Sequence, residues 1–222
     1  MPLFYLHGFA SGAGSSKATF FRERLAQLGI TLHCPDFNEP DFATLTITRM
    51  LDQLDAAIDA GPAEPVTLIG SSLGGYTAWH AAARRADTAA GRTRPITALV
   101  LLAPAFEFGA NRMRDLGADG IARWRETNRL DVFHYGYGET RALQFALYED
   151  AARYNSTRVE VRTPTLVFQG RQDALVDPVM VERFVASRPS MTLDLLDDDH
   201  QLLASLEHIW KATAAFLHLD RV

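Results

Sequence analysis

Gly70, Ser72 and Gly74 form a Gly-x-Ser-x-Gly motif that directly follows an apolar run and directly precedes an amphipathic stretch. This context predicts a nucleophile elbow, a strand-to-helix turn so sharp that side chains two residues before and after the serine would collide. The first N–H groups of the helix then face the reacting centre. We therefore predict Ser72 as a nucleophile. Ser71 is the disfavoured hydroxyl, and an ordinary serine in a tight glycine turn is the alternative reading.

A serine nucleophile needs a base that removes its proton, and the chain contains seven histidines. In a fold built on this elbow the partners follow in the order serine, acid, histidine. The histidines that come too early are His7, His33 and His80. His208 and His218 fall in the last helical pattern, and His134 lies in a segment that interrupts the strand-helix alternation. His200 follows the last apolar run and is the predicted base.

The acid should leave the end of the preceding apolar run, where it can face the histidine loop. Asp173 lies three residues past Gly170 and is the predicted acid, accepting the imidazole Nδ1–H. Asp177 is the rival, but it precedes Pro178 at a predicted helix start, which is typical of an N-cap.

A tetrahedral oxyanion needs two preorganised N–H donors. The backbone N–H of Leu73, next after the nucleophile, is one candidate, and the backbone N–H of Phe9, in the loop after the first apolar run, is the other. The same loop is rich in glycine and contains Lys17, but it lacks the contiguous Gly-Lys-Ser/Thr of a phosphate-binding loop. We therefore expect no nucleotide and no cofactor there.

Short apolar runs alternate with amphipathic stretches, which is typical of β-α-β units and a parallel sheet. Most runs are apolar throughout, which indicates strands covered on both faces. The predicted strands are Leu3–Leu6, Thr31–Cys34, Val66–Ile69, Ala98–Leu102, Thr165–Phe168 and Thr192–Leu195. The predicted helices are Lys17–Leu28, Phe42–Ala60, Leu73–Arg85, Pro178–Ala186 and Leu203–His218.

The segment Ala105–Arg162 breaks this alternation and is much longer than a crossover between parallel strands requires. It shows helical patterns around Met113–Asn128 and Arg141–Tyr154 and no obvious strand, so we predict a helical cap over residues 105–162. Residues 1–104 and 163–222 form the predicted core. The apolar side chains of the cap could form its own core or line an acyl site: Phe106, Phe108, Met113, Trp124, Phe133, Tyr135, Tyr137, Phe145 and Tyr148.

Composition excludes several classes of protein. The chain has 222 residues, 47% of them hydrophobic, and a formal net charge of −5, which is typical of a globular domain and not of a nucleic-acid binder. A single cysteine excludes a disulfide framework and a multi-thiolate metal site. The run Asp197–Asp199 is read as a solvated turn and not as a metal site. No apolar stretch is long enough for a signal peptide or a membrane span, so we expect a cytoplasmic protein.

Together these residues resemble the α/β-hydrolase superfamily, and more narrowly the small bacterial YqiA/YcfP-type esterases. The motifs that carry the resemblance are Tyr5-Leu-His-Gly-Phe9 with Ser15-Ser-Lys-Ala18, Gly70-Ser-Ser-Leu-Gly-Gly-Tyr76, Leu102-Ala-Pro-Ala105, Gly170-Arg-Gln-Asp173 and Asp199-His200. The resemblance covers the whole core and is vague across the cap.

The resemblance implies a three-layer α/β fold with about six parallel strands in the order 2-1-3-4-5-6. It also implies hydrolysis of a small-molecule acyl ester or thioester by a carboxylesterase or thioesterase, with Ser72, Asp173 and His200 at the family's triad positions. The alternatives are another chemistry on the same triad (a C–C bond hydrolase, an amidase or a peptidase) and a non-catalytic binding protein of the same fold. Neither the physiological substrate nor the oligomeric state is predicted.

Overall fold

The computed structural model describes residues 1–111 and 113–219, apart from the side chains of Ala110, Asn111 and Arg114. Arg112 of the predicted cap and residues 220–222 of the predicted core lie outside the described residues. The strands are β1 Leu3–Leu6, β2 Leu32–His33, β3 Val66–Ser71, β4 Ile96–Leu102, β5 Leu130–His134, β6 Glu139–Leu143, β7 Thr165–Gly170 and β8 Met191–Leu196. The α-helices are α1 Ser16–Ala26, α2 Ile47–Asp59, α3 Leu73–Arg85, α4 Ala89–Thr93, α5 Phe108–Asn111, α6 Gly117–Thr127, α7 Ala146–Ala151, α8 Pro178–Ala186 and α9 Leu206–Phe216.

Six strands form a parallel sheet in the order β2-β1-β3-β4-β7-β8. All its neighbouring pairs are parallel. Each of the six predicted strands is present, and the predicted order is confirmed. The register pairs Ser71 with Leu102, Leu102 with Phe168, and Gly170 with Leu196. The carboxyl ends of β3, β4, β7 and β8 therefore meet at one edge of the sheet, where ligands bind in open α/β folds.

Helices cover both faces of the sheet, as the uniformly apolar strands predicted. On one face α1 and α9 pack through Phe21, Leu25 and Ile209. On the other face α2, α3 and α8 pack through side chains such as Leu54 and Trp79. Alternate residues of a strand serve opposite faces, so both layers exclude water from the same short strands. The result is a three-layer α/β core.

Three predicted helices have different boundaries, and the first, predicted as Lys17–Leu28, is Ser16–Ala26. The pattern from Phe42 to Ala60 divides into a 3₁₀ turn, Phe42–Thr44, and helix α2, because the Thr46 side chain accepts a hydrogen bond from Arg49 N–H and starts a new helix. The last helix begins at Leu206 and not at Leu203. No helix in the described ranges is long and apolar enough to cross a membrane.

Residues 105–162 lie between β4 and β7, and the expectation that they contain no strand was wrong. Besides α5, α6, α7 and short 3₁₀ turns they form the antiparallel hairpin β5–β6, in which His134 pairs with Glu139. Half-buried and exposed positions alternate from Leu130 to Phe133 along β5, which is the period of a strand, but the residue types do not follow this alternation, since the apolar Phe133 is exposed. The turn contains Gly136 and Gly138, and Gly138 has φ +70°, which favours glycine. This turn was the missed signal.

Candidate active site

Ser72 occupies the sharp turn between β3 and α3. Its φ is +52° and its ψ is −113°, a combination that a non-glycine residue adopts only where its surroundings enforce it. The backbone is fixed on both sides, because Ser72 N–H donates to Leu102 O (2.9 Å) and Ser72 O accepts from the N–H groups of Tyr76 and Ala105. The strained backbone holds the side chain at the carboxyl edge of the sheet, ahead of the first turn of α3.

The glycines of the motif permit this turn. A Cβ at Gly70 would lie 2.5 Å from the carbonyl oxygen of Gly74, and a Cβ at Gly74 would overlap the carbonyl oxygen of Leu6 at the end of β1. Both obstructing atoms belong to the backbone, which cannot move aside without displacing β1 or α3. The steric argument made from the sequence therefore describes this turn.

His200 lies on the loop after β8, within hydrogen-bond distance of both other predicted residues. Its Nε2 is 3.1 Å from Ser72 Oγ, and its Nδ1 is 2.8 Å from Asp173 Oδ2. Asp173 Oδ2 is a carboxylate oxygen and can only accept, so Nδ1 carries the proton and Nε2 is the acceptor facing Ser72. The structure thus joins the three residues in one hydrogen-bonded chain.

Asp173 is buried in the turn after β7. One carboxylate oxygen accepts from the N–H groups of Leu175 and Val176, each at 2.8 Å, and the other accepts from His200 and from Gln169 Nε2 at 2.8 Å. Burial alone would raise the pKa of this carboxyl group, but the hydrogen bonds, with that of His200 the largest, outweigh burial and lower it. Asp173 is therefore ionised at neutral pH.

Asp177 has the other role that the sequence suggested. It is exposed and is the N-cap of α8, where its Oδ1 accepts from Val179 N–H at 2.9 Å and Pro178 occupies the first turn. The side chain is thus used at a helix start and makes no hydrogen bond to His200.

The predicted oxyanion donors belong to the residue after Ser72 and to the loop after β1. In the described part of the chain, neither the N–H of Leu73 nor that of Phe9 has a protein acceptor. The loop of Phe9 lies close to the elbow, because a Cβ added to Gly8 would lie 3.4 Å from Ser72 Cβ. His7 ties this loop to the segment after β2 by accepting from Phe37 N–H at 2.9 Å.

The structure also identifies two residues that the sequence analysis did not assign to the site. Gln169, fully buried near the end of β7, donates to the acid Asp173. Lys17, which was weighed only as a phosphate ligand, is buried and donates to the carbonyl oxygen of Gln201 beside His200. A polar residue in an otherwise apolar strand was the available signal for Gln169. Lys17 lies in the run Ser15-Ser-Lys-Ala18, which carried part of the family resemblance but was not assigned to the site.

The apolar side chains of residues 105–162 divide into three groups by exposure. Phe106, Trp124 and Phe145 are buried. Trp124 contacts Phe145 and its Nε1 donates to Leu143 O at 2.9 Å, so these two rings form the packing core of the segment, whereas Phe106 packs against Trp79 and Phe184. The exposed rings all lie on the β5–β6 hairpin or its turn: Phe133, Tyr135 and Tyr137. The half-buried ones are Phe108, Met113 and Tyr148.

The hairpin lies beside the Phe9 loop. His134, the last residue of β5, is buried, and its Nε2 is 3.0 Å from Asn38 Oδ1. The amide of Asn38 in turn donates to Ser11 O at 2.8 Å, and Gly136 N–H donates to Ala10 O. The exposed aromatic rings are therefore carried on a hairpin that is anchored next to the predicted oxyanion donor.

The aspartates at 197–199 form a hydrogen-bonded turn. Asp197 accepts from Gln172, Asp198 from Asp199 N–H and Ser205 N–H, and Asp199 from Gln201 N–H. Among the described residues no group of three or more His, Cys, Asp or Glu side chains is arranged to hold a metal ion.

Comparison with known proteins places this geometry in context. The model of the family described as Uncharacterised protein family (UPF0227) matches residues 2–217. No curated protein matches the chain significantly. Among solved structures, Est1E from Butyrivibrio proteoclasticus with bound ferulic acid is 22% identical with a TM-score of 0.78, covering 98% of this chain and 88% of that chain.

Two further structures are similar. The α/β hydrolase domain-containing protein 10 from mouse is 19% identical with a TM-score of 0.77, covering 98% of this chain and 90% of that chain. A monoacylglycerol lipase from Paleococcus ferrophilus is 16% identical with a TM-score of 0.76, covering 99% of this chain and 94% of that chain. The chain therefore has the α/β-hydrolase fold, as its sequence motifs suggested.

Proposed function

The chain belongs to the UPF0227 family, and we propose that it is a serine hydrolase that cleaves carboxylic ester or thioester bonds. One observation carries this proposal: Ser72 Oγ, His200 and Asp173 form a continuous hydrogen-bonded chain at the carboxyl edge of the sheet. A buried, ionised carboxylate that accepts from an imidazole is the arrangement that makes a neighbouring serine nucleophilic.

In the first half of the reaction Ser72 Oγ attacks the substrate carbonyl carbon. The Nε2 atom of His200 takes the hydroxyl proton, and Asp173 stabilises the resulting imidazolium. The N–H groups of Phe9 and Leu73 stabilise the oxyanion of the tetrahedral intermediate. His200 then gives its proton to the departing alkoxide or thiolate, which leaves an acyl group on Ser72.

In the second half water replaces the leaving group. His200 removes a proton from the water, the hydroxide attacks the acyl carbonyl, and the acid departs as Ser72 regains its proton. All proton transfers use side chains of this chain, so the chemistry requires no metal and no cofactor. Addition of EDTA should therefore leave hydrolysis unchanged.

The substrate side is an apolar acyl group. The hairpin that carries the exposed rings is hydrogen-bonded to the loop of Phe9. Apolar side chains near a reacting centre favour the acyl chains whose apolar surface they bury. The ferulic acid bound to Est1E and the lipase from Paleococcus ferrophilus support an ester substrate for this chain as well.

The test is activity-based labelling with a fluorophosphonate probe together with a panel of p-nitrophenyl acyl esters and acyl-CoA thioesters. We expect the probe to label one residue, Ser72. In Ser72→Ala both the labelling and the hydrolysis should be lost. Ser71→Ala, at the adjacent hydroxyl, is the matched control and should still be labelled. Absence of labelling in the wild type, or labelling that survives Ser72→Ala, would contradict the proposal.

A further inference from the structure

Lys17 is a buried lysine whose ammonium group reaches the loop that carries His200. It lies in the first turn of α1, is 8% exposed, and its Nζ donates a 2.8 Å hydrogen bond to the carbonyl oxygen of Gln201. Within the described part of the chain this is its one side-chain hydrogen bond, and no ion pair accompanies it. An ammonium group is strongly hydrated in water, so its burial against a single acceptor is costly and indicates a specific role.

The part of the loop before His200 has its own supports. The Asp198 side chain accepts from the N–H groups of Asp199 and Ser205, and its carbonyl oxygen accepts from Gln172 N–H at 3.0 Å. Gly170 leaves room for this approach, because a Cβ there would overlap the Asp198 carbonyl. These contacts fix the chain up to His200.

After His200, Gln201 N–H donates to Asp199 Oδ1 at 2.7 Å and Leu202 N–H donates to Asp199 O at 3.3 Å, and Lys17 adds a side-chain donor from a different part of the chain. The carbonyl group that Lys17 binds belongs to the peptide unit between Gln201 and Leu202, and Leu202 has φ +55°, in the left-handed region that non-glycine residues adopt only with support. The Leu202 side chain is fully buried. Lys17 thus binds the carbonyl side of the second peptide unit after His200, whose N–H side donates to Asp199 O.

The other end of Lys17 is joined to the loop of Phe9. That loop leads directly into α1, where Ser15 N–H donates to Gly12 O at 3.0 Å and Ser15 Oγ accepts from Ala18 N–H. Lys17 follows within the same turn. Its side chain therefore bridges the loop of the predicted oxyanion donor and the loop of the predicted base.

Burial and the nearby aspartates act in opposite directions on the charge of Lys17. Burial lowers the pKa of Lys17 to about 8, and the negative charges of Asp199, Asp173 and Asp198 oppose that shift. At neutral pH the ammonium group is therefore mostly retained, with three donors and a positive charge facing an acidic loop.

We infer that Lys17 is a positioning residue that holds the His200 loop in register with the Phe9 loop, so that the imidazole faces Ser72. This inference rests on the proposed function, because it assigns Lys17 a part in the same reaction. It acts through His200 and does not touch the reacting atoms. Its loss should therefore lower kcat, which reports alignment, more than it changes KM.

Lys17→Met tests this inference, because methionine fills a similar volume without the charge or the donor. The matched control is Lys211→Met, which removes the other lysine of the chain from an exposed position on α9. We expect Lys17→Met to lower kcat by about 10- to 100-fold, the range for a misplaced catalytic group, with KM within about twofold. Its melting temperature should stay close to that of the control, because burying an apolar chain in place of a charge offsets the lost hydrogen bond to Gln201.

A spectroscopic readout separates positioning from simple stability. The Nδ1 proton of His200, hydrogen-bonded to Asp173, should give a low-field proton resonance in the wild type and in Lys211→Met, and this resonance should broaden or vanish in Lys17→Met. If Lys17→Met does not fold, Lys17→Gln takes its place with the same expectations. Wild-type kcat and an unchanged resonance in the folded variant would overturn the inference.

The outcomes also separate this inference from the proposed function. If hydrolysis depends on Ser72 but is unchanged in Lys17→Met, the positioning role of Lys17 is refuted and the proposed function stands. If no Ser72-dependent hydrolysis is found, the proposed function is refuted. The His200 proton resonance in Lys17→Met would still show whether Lys17 holds the His200 loop.

Discussion

The carboxyl edge of the core sheet and the segment 105–162 are built by different means. At the edge, backbone geometry dictates residue types. Ser72 has a positive φ, and at positions 70 and 74 glycine is the only residue type that fits, because a Cβ there would overlap backbone atoms. The segment is attached mainly by side chains, such as Asp150, which accepts from both Thr48 N–H and Thr48 Oγ1. A site fixed by the backbone tolerates little change, whereas a segment fixed by side chains can change its composition while the core stays as it is.

The difference suggests a division of labour. All residues of the proposed reaction lie in the core, on β3, α3 and the loops after β1, β7 and β8. The hairpin of the segment carries exposed rings and no member of the triad. We therefore expect chemistry to be lost by changes in the core and selectivity to be altered by changes in the segment.

The largest effect should come from the nucleophile and the base. Ser72→Ala and His200→Ala should each lower kcat by about 10⁴-fold or more, because members of a triad act as a unit and losing one costs nearly as much as losing all. Steady-state hydrolysis of a p-nitrophenyl ester measures this, with circular dichroism to show that the fold is retained. If Ser72→Ala kept a tenth of the wild-type rate, the nucleophile would have to lie elsewhere.

The two aspartates after β7 give the next test of the core. Asp173→Asn should lower kcat by about 10³- to 10⁴-fold, because an amide in that place favours the wrong imidazole tautomer. Asp177→Asn should stay within about twofold, because asparagine and aspartate are nearly equal N-caps. Parallel kcat measurements decide the matter, and equal losses in the two variants would refute the choice of acid.

The same contrast explains what the sequence could predict. The glycine spacing and the helix cap at Asp177 are local patterns, and together with the serine, acid, histidine order they predicted the elbow and the choice of Ser72, Asp173 and His200. The strand order came from the family resemblance. The hairpin was missed because its strands are half-exposed and short, so its alternation is weak beside the flanking helical patterns. Lys17 was missed because its partner lies 184 residues away, and no pattern along the chain reports such a contact.

Within the segment, buried and exposed aromatic residues should behave differently. Trp124→Ala should lower the free energy of unfolding by about 3–5 kcal/mol, because it removes a fully buried ring, and should leave acyl preference unchanged. Tyr135→Ala, at the most exposed ring of the hairpin, should leave stability unchanged and alter the preference between short and long acyl esters by about 10- to 200-fold. Urea unfolding and kcat/KM across chain lengths measure the two effects. An unchanged chain-length profile in alanine variants of Phe133, Tyr135 and Tyr137 would exclude the hairpin from the acyl site.

The smallest effect concerns the seam between the two regions, where His80 of α3 meets the segment. Its Nε2 is 3.1 Å from Ser156 Oγ, and its ring contacts Tyr76 and Tyr154 edge-on. Burial lowers the pKa of His80 to about 4 from an ordinary value of 6.5. Between these values the unfolded chain binds a proton that the folded chain does not, so stability must fall as the pH falls.

For this one group the loss between pH 7 and pH 5 is about 2 kcal/mol of unfolding free energy. His80→Gln keeps a polar atom near Ser156 but cannot titrate. Its unfolding free energy, measured with urea, should therefore fall by about 2 kcal/mol less than that of the wild type between pH 7 and pH 5, whatever its stability at pH 7. His33→Gln, which removes an exposed histidine, is the control for the loss of one imidazole. Many carboxylates also contribute to the pH dependence of the unfolding free energy. They are present in both proteins, so their contribution cancels when the free energy of the variant is subtracted from that of the wild type. If wild type and His80→Gln lose stability in parallel from pH 7 to pH 5, His80 is not the acid-sensitive group at this seam, and the attachment of the segment to α3 would owe nothing to a neutral imidazole.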